Sequence, residues 1–237
     1  MDDEDERIDA LARVELLQGM SREHVARFAE RCTFARVKKG APVIAADGPD
    51  AGSTDAFLVL EGRLAARSRS ADGREITFAT VGPGGLFGEF SAIDGAPRSA
   101  EIVALAPAWI ARVSSQRLRE LMIVLPVTGL RLCELLVAKN REMSQRLLEF
   151  ATLPLSQRIC ATLLRLARSQ GTADADGRVH VETPPTQYEL AILVGTNRES
   201  VSREMAALAR DGLVAYDRRA LSILDMGALE QRTGTKG

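Results

Sequence analysis

The stretch TPPTQYELAILVGTNRESVSREMAALARDGLVAY, residues 183–216, carries two helix-start signatures in succession. Thr186 with Glu189, and Thr196 with Glu199, each fit the capping box, in which a hydroxyl and a carboxylate answer the unpaired amides of a first helical turn. Gly195 between them supplies the backbone freedom of a tight turn, and Gly212 closes the second helix. In that second helix Val201, Met205 and Leu208 fall on one stripe and are expected to be buried. Arg198, Glu199, Ser202 and Arg203 gather on the opposite side, within the first turn and a half. Arginine offers two parallel donors to guanine and glutamate accepts from the cytosine amino group, so this face has the chemistry to read base edges in a major groove. A charged, solvated face on a helical hairpin is the plainer reading of the helix-turn-helix pattern taken alone. The segments Leu213 to Tyr216, Asp217 to Ala220 and Leu221 to Leu224 then read as strand, turn and strand, a wing beside the second helix. From residue 155 to 237 there are eleven basic against ten acidic residues, so attraction to phosphate must be local.

Upstream, Leu153-Pro154 interrupts a helical pattern, because proline has no amide to donate to the preceding turn, and a hinge is expected there. A helix over Ser156 to Arg168, a loop over Ser169 to Gly177 and a short strand over Arg178 to Glu182 follow it. Val127 to Ala151 reads as one long helix with Leu136, Asn140, Met143, Leu147 and Phe150 at heptad-like spacing, which predicts packing against a second copy of itself. Docking of that stripe on the N-terminal domain is the alternative. Asn140 and Ser144 are polar positions on or beside the seam, suited to fixing register or to facing a ligand.

Between about Cys32 and Val113 the chain changes to short runs rich in Val, Ile, Phe and Thr. These runs are broken at Lys39-Gly40, Asp47-Gly48-Pro49, Glu61-Gly62, Asp72-Gly73, Gly82 to Gly85 and Asp94-Gly95, a rhythm that predicts an all-β sandwich or roll. Two short helices are expected before it, from Ile8, Leu11 and Val14 and from Val25 and Phe28, with Ser21 as a helix start. The acidic run Asp2 to Glu6 reads as a solvated terminus.

Within the β region, residues 84–100 read GGLFGEFSAIDGAPRSA. A Gly-Glu pair followed by Arg-Ser-Ala suits a ligand that has both hydroxyls and a phosphate. Glu89 can accept from a sugar hydroxyl, Arg98 can make a charge-assisted contact to phosphate, and Ser99 with nearby amides can complete the cradle. That chemistry fits a cyclic nucleotide, although a glycine-rich turn by itself is usually only a turn.

Composition narrows the remaining classes. In 237 residues, 46% are hydrophobic and 27% charged, with 31 basic against 32 acidic side chains, which describes a globular chain of about two domains rather than a disordered or fibrous one. The longest apolar run, about Leu121 to Val127, is too short to span a bilayer, and the acidic start lacks the features of a signal peptide, so a cytosolic location without membrane association is expected. Cys32, Cys133 and Cys160 are odd in number and widely spaced, which predicts reduced thiols rather than a disulfide framework or zinc site. His24 and His180 stand apart from any cysteine or carboxylate cluster. No nucleophile-base pair or metal ligand set can be assembled, and neither an enzyme nor a resident cofactor is expected.

The order of these parts, with FGE at 87–89, PRSA at 97–100 and GTNRESVSR at 195–203, resembles the Crp/Fnr family of transcription regulators over nearly the whole chain. The resemblance implies an α+β fold with an N-terminal cyclic-nucleotide-binding β-roll at 1–126, a long dimerisation helix and hinge at 127–154, and a C-terminal winged helix-turn-helix at 155–237. It implies that Gly88 and Glu89 hold a ribose and Arg98 and Ser99 a cyclic phosphate, with Phe87 and Ala100 flanking them and Asn140, Met143 and Ser144 near the base. Arg198, Glu199 and Arg203 become the base readers, with Ser202 beside them and Gln187, Asn197 and Ser200 as backbone contacts. The implied partners are double-stranded DNA, a cyclic nucleotide, a second copy of the chain and RNA polymerase. The chain departs from the family pattern at Met143-Ser144, where a Thr-Ser pair contacts adenine, and at Lys139, where an arginine stands. Adenine and guanine therefore both remain open, with cAMP preferred on its frequency in the family. The cysteine cluster of the iron-sulfur branch is missing, and no histidine in the cassette points to the haem branch. Two rivals remain: a regulator of the same fold with another effector or none, and a cyclic-nucleotide-binding subunit that acts on a partner protein.

Overall fold

The computed structural model describes residues 3–44, 52–69, 75–182, 184–216 and 220–234. The turn signals at Asp47 to Pro49 and Asp72-Gly73, and the tip of the wing at 217–219, lie outside these. The chain divides into two compact units, Met1–Asn140 and Arg141–Gly237.

In the first unit, α1 (Asp3–Ala12), a 3-10 turn (Glu15–Leu17) and α2 (Arg22–Ala29) precede the strands. The Ser21 hydroxyl caps α2 by accepting from the amide of His24. Eight strands follow: β1 (Thr33–Val37), β2 (Pro42–Ile44), β3 (Ala56–Glu61), β4 (Leu64–Arg69), β5 (Glu75–Val81), β6 (Leu86–Phe87), β7 (Glu101–Ala104) and β8 (Ala108–Val113). They form two four-stranded antiparallel sheets, ordered β1-β8-β3-β6 and β2-β7-β4-β5. Strand β3 is buried on both faces, and its period of two explains how. Phe57 and Val59 point into a core shared with Leu64 and Ala66 of β4 and Ile102 and Ala104 of β7, so the sheets pack face to face. Ala56, Leu58 and Leu60 point the other way, into a core with Leu11, Leu16, Val25 and Phe28 of the N-terminal helical segment. This is the expected β-roll with helices on its flank.

Helix α3 (Glu89–Asp94) interrupts the strands, and α4 (Ser115–Val124) and the long α5 (Pro126–Thr152) follow them. Pro126 occupies the first position of α5, where its missing amide costs nothing. In the first unit Leu132, Leu135 and Leu136 of α5 pack against the roll's helical core.

The second unit holds α6 (Leu155–Gln170), β9 (Thr172–Ala173), β10 (Val179–Val181), α7 (Gln187–Leu193), α8 (Arg198–Arg210), β11 (Val214–Tyr216), β12 (Leu221–Ile223) and α9 (Met226–Arg232). A sheet ordered β11-β12-β10-β9 backs a core of Ile159, Leu163, Leu190, Val201, Met205, Leu208 and Ile223. Helix α5 ends at Thr152 and α6 begins at Leu155, so the Leu153-Pro154 break is present, while contacts divide the chain upstream of it, after Asn140. The last turns of α5 are strapped to the second unit. Glu149, 5% exposed, pairs with Arg165, which also donates to the Thr162 hydroxyl at 3.0 Å. The Phe150 ring lies under the Arg158 guanidinium at 5.3 Å. No single helix among the described residues is long and apolar enough to cross a membrane.

Two residues of the heptad stripe read from the sequence also have partners within the chain. Leu136 is drawn onto the roll core and Phe150 is engaged by Arg158, so both ends of that stripe are used within the chain. A row exposed along its whole length at heptad spacing shares Asn140 and Leu147 with that stripe: Leu130, Cys133, Val137, Asn140, Ser144, Leu147 and Ala151.

Candidate functional site

Two sites emerge, one in each unit. The first is built around Gly88, which joins β6 to α3 with φ of 76°. A Cβ at this position would lie 2.8 Å from both Arg98 Nη1 and the Asp55 carbonyl oxygen, so only glycine fits. Phe87, buried, stacks on Phe57 at 4.9 Å and fixes the strand that leads into the turn. Glu89 is the first residue of α3 and is 5% exposed. Its carboxylate sits 2.7 Å from Lys139 Nζ, which also donates to the Leu86 carbonyl at 2.9 Å. Arg98 reaches back over the same turn, donating from Nη1 to the Gly88 carbonyl at 3.1 Å and from Nη2 to the Asp55 carbonyl at 2.7 Å. The Arg98 guanidinium is thus held at the Gly88 carbonyl, and the nearly buried carboxylate of the next residue is held by Lys139. Ser99 is exposed beside them, and Ala100 packs against the sheet core.

Asn140, exposed, follows Lys139 on α5. Met143, 66% exposed, and Ser144, also exposed, belong to the second unit. Sequence reading missed the engagement of Glu89 by Lys139 and of Arg98 by Asp55. These partners lie 50 and 43 residues away, and no local pattern announces them.

The second site is the α7-turn-α8 hairpin. The capping box at Thr186 and Glu189 forms as read: the hydroxyl accepts from the Glu189 amide at 3.2 Å, and the carboxylate accepts from the Thr186 amide at 2.7 Å. The second capping box does not form. Thr196 gives its amide to the Ala191 carbonyl at 2.9 Å, and Asn197 caps α8 instead, its Oδ1 accepting from the Ser200 amide at 2.9 Å. Asparagine ranks above threonine as a cap, and the Asn197 side-chain carbonyl reaches the third amide of the helix. Asn197, expected only as a backbone contact, therefore has a structural task as well.

Val201, Met205 and Leu208 are buried under α8, and Arg198, Glu199, Ser202 and Arg203 are exposed on its opposite face. Arg203 donates to the Ser200 hydroxyl at 3.2 Å, which restrains a long side chain before it meets a partner. Gln187 begins α7, half-buried. Gly195 has φ of 66°, and an added Cβ would meet the Phe150 ring at 3.0 Å, so the turn and the end of α5 are in close contact. The strands β11 and β12 form the wing. Tyr216, the last residue of β11, donates to the Pro185 carbonyl at 2.8 Å, and burial, then the nearby Glu189 carboxylate, raise its phenol above the ordinary value.

Family models match both sites. Residues 34–123 match the cyclic nucleotide-binding domain, and residues 157–232 match the Crp-like helix-turn-helix domain. The cyclic AMP receptor protein of Thermus thermophilus is 32% identical, over 74% of this chain and 77% of that protein. The chain belongs to the Crp/Fnr family. A CRP-like cAMP-activated global transcriptional regulator of Mycobacterium tuberculosis is similar at 26% identity over 94% of this chain and 98% of its own length. The crystal structure of a CRP-family transcriptional regulator from Thermus thermophilus superposes with a TM-score of 0.64 at 26% identity, covering 85% of this chain and 97% of that one. As a Crp/Fnr protein, this chain is a DNA-binding transcription regulator that carries a cyclic-nucleotide-binding domain.

Proposed function

We propose that this Crp/Fnr regulator acts in the cytosol as a homodimer whose hold on DNA is set by a cyclic nucleotide, with cAMP preferred over cGMP. The observation that carries the reading is that Arg98 is held at the Gly88 carbonyl while the next residue, Glu89, keeps a nearly buried carboxylate on Lys139. The free ribose 2'-hydroxyl donates to Glu89, and the cyclic phosphate takes Arg98 from its two carbonyl partners, exchanging neutral acceptors for an anion. The nucleotide thereby disturbs the contact between Glu89 and Lys139. The preference for cAMP is supported by the names of the relatives, two of which are a cyclic AMP receptor protein and a cAMP-activated regulator.

Lys139 and Phe150 lie on one unbroken helix, α5, and Phe150 contacts the turn before α8. A nucleotide that rearranges Lys139 therefore biases the attitude of the recognition helix. Base readout falls to Arg198, Glu199 and Arg203, with Ser202 beside them, and Gln187, Asn197 and Ser200 hold phosphate. The second copy docks along the exposed α5 row, and RNA polymerase is the downstream partner. Catalysis has no part in this account.

A second reading is favoured by one observation. Glu89 already has a cationic partner, and the position beside Ser144 is the thioether Met143 instead of a second hydroxyl, so an effector other than a purine nucleotide is the rival. Calorimetric titration of the full chain with cAMP, and separately with cGMP, separates the two. Saturable heat at one nucleotide per subunit, tighter for cAMP, is expected, and no heat with either nucleotide favours the rival.

A further inference from the structure

Beside the cassette, the first unit has a second concave feature that the effector reading does not use. A depression of about 330 Å³ is lined by Arg31, Thr33, Asp55, Arg112, Ser114 and Arg117, three guanidiniums and two hydroxyls with a single carboxylate. Its size is at the lower end of small-molecule sites.

The charges are unevenly answered. Asp55 holds Arg112 at 2.5 Å. Arg31 reaches a carboxylate, that of Glu120, only at 3.5 Å, and among the described residues the side chain of Arg117 donates to a neutral acceptor, the Arg31 carbonyl at 3.2 Å. Arg117 also sits in the first turn of α4, a turn that Ser114 caps and that holds no acidic residue, Glu120 lying further along the helix. A cation at that end opposes the helix dipole, so both the dipole and the guanidiniums favour an anion at this position.

We infer that this depression binds a small polyanion of the phosphate class, held by Arg31, Arg117 and Arg112 with the Thr33 and Ser114 hydroxyls. Planar guanidiniums match two oxygens of a phosphate at once, and the hydroxyls donate to what remains. The occupant competes with Asp55 for Arg112. Asp55 is also the residue whose carbonyl holds Arg98, and the Phe57 ring lies 5.9 Å from each of the two guanidiniums. The site is thus one residue behind the effector's phosphate ligand.

The test is calorimetry on the full chain with pyrophosphate and with inorganic phosphate, against sodium chloride of equal ionic strength. Saturable pyrophosphate binding is expected, weakened about tenfold or more in Arg31→Gln/Arg117→Gln, a pair of exposed-face changes whose unfolding midpoint checks folding. Binding is expected to persist in Arg98→Ala. Binding that survives the double variant but vanishes in Arg98→Ala puts the anion in the cassette and overturns the inference, while leaving the cyclic-nucleotide reading intact. Heat no different from chloride overturns it too, as does binding of a poly-glutamate peptide with neither phosphate bound, which marks a protein surface. A second arm rests on the reading of Arg98: saturating pyrophosphate shifts cAMP affinity about threefold or more, and coincident curves overturn the coupling.

Discussion

The ammonium of Lys139 stands 2.7 Å from the carboxylate of Glu89, a residue only 5% exposed. An acid that sequence reading gives to a ribose is therefore already engaged by the helix that leads toward the DNA-binding unit. Lys139→Met leaves that carboxylate without its cation, and loss of one partner from a nearly buried charged pair costs about 1 to 3 kcal/mol. Urea unfolding of the single variants and of Glu89→Gln/Lys139→Met checks this. The double variant is expected to lose less than the sum of the singles, and strict additivity would deny the pair any role.

Arg198 opens α8 on its exposed face. Arg198→Ala is expected to relax the preference for one G·C pair in each half-site by about 1 to 3 kcal/mol. Competition binding with duplexes changed one position at a time reads the effect. A loss shared equally by all duplexes would make Arg198 a phosphate contact.

At Gly195 the backbone is left-handed and the Phe150 ring fills the space where a Cβ would stand. Gly195→Ala is expected to destabilise the second unit by roughly 1 to 3 kcal/mol, from the unfavourable φ and the displaced ring together. Phe150→Ala should relieve part of that cost, so chemical unfolding of the double variant is expected to be less than additive.

The exposed α5 row makes a further prediction. Cys133 lies in it, and in a parallel pair of helices related by a two-fold axis it faces its own copy. Mild oxidation is expected to give a covalent dimer that Cys133→Ser abolishes. The other two thiols do not contribute, because burial pushes Cys32 up to about 12 and Cys160 up to about 11 and keeps both protonated at neutral pH. Cross-linking that survives Cys133→Ser would place the seam elsewhere.

What the sequence made legible was local. The turn at Gly88, the cap at Thr186 and the buried stripe of α8 each depend on residues a few positions apart, and spacing reports them directly. The start of α8 was misplaced by one residue because Thr196 and Asn197 can both cap, and the Thr196 amide bond to Ala191 together with the Asn197 side-chain bond to Ser200 decides between them. The heptad stripe of α5 was legible from spacing, but the further partners of its two ends were not: Leu136 also packs on the roll core, and Phe150 on Arg158 and beside the turn at Gly195. Lys139 was visible as a departure from the family pattern, but its partner was not. Pairs formed across fifty residues leave no periodicity to read.

The central claim is that occupancy of the Gly88 cassette governs DNA binding, and DNA affinity measured with and without the effector tests it most directly. Fluorescence anisotropy would follow a duplex selected by the protein from a random pool, titrated with wild type and Arg98→Ala, each without and with saturating cAMP. The account predicts that cAMP tightens wild-type binding by about 5- to 150-fold, that Arg98→Ala shows no such gain, and that the two proteins bind alike without nucleotide. Equal wild-type affinity in the presence and absence of cAMP would contradict it.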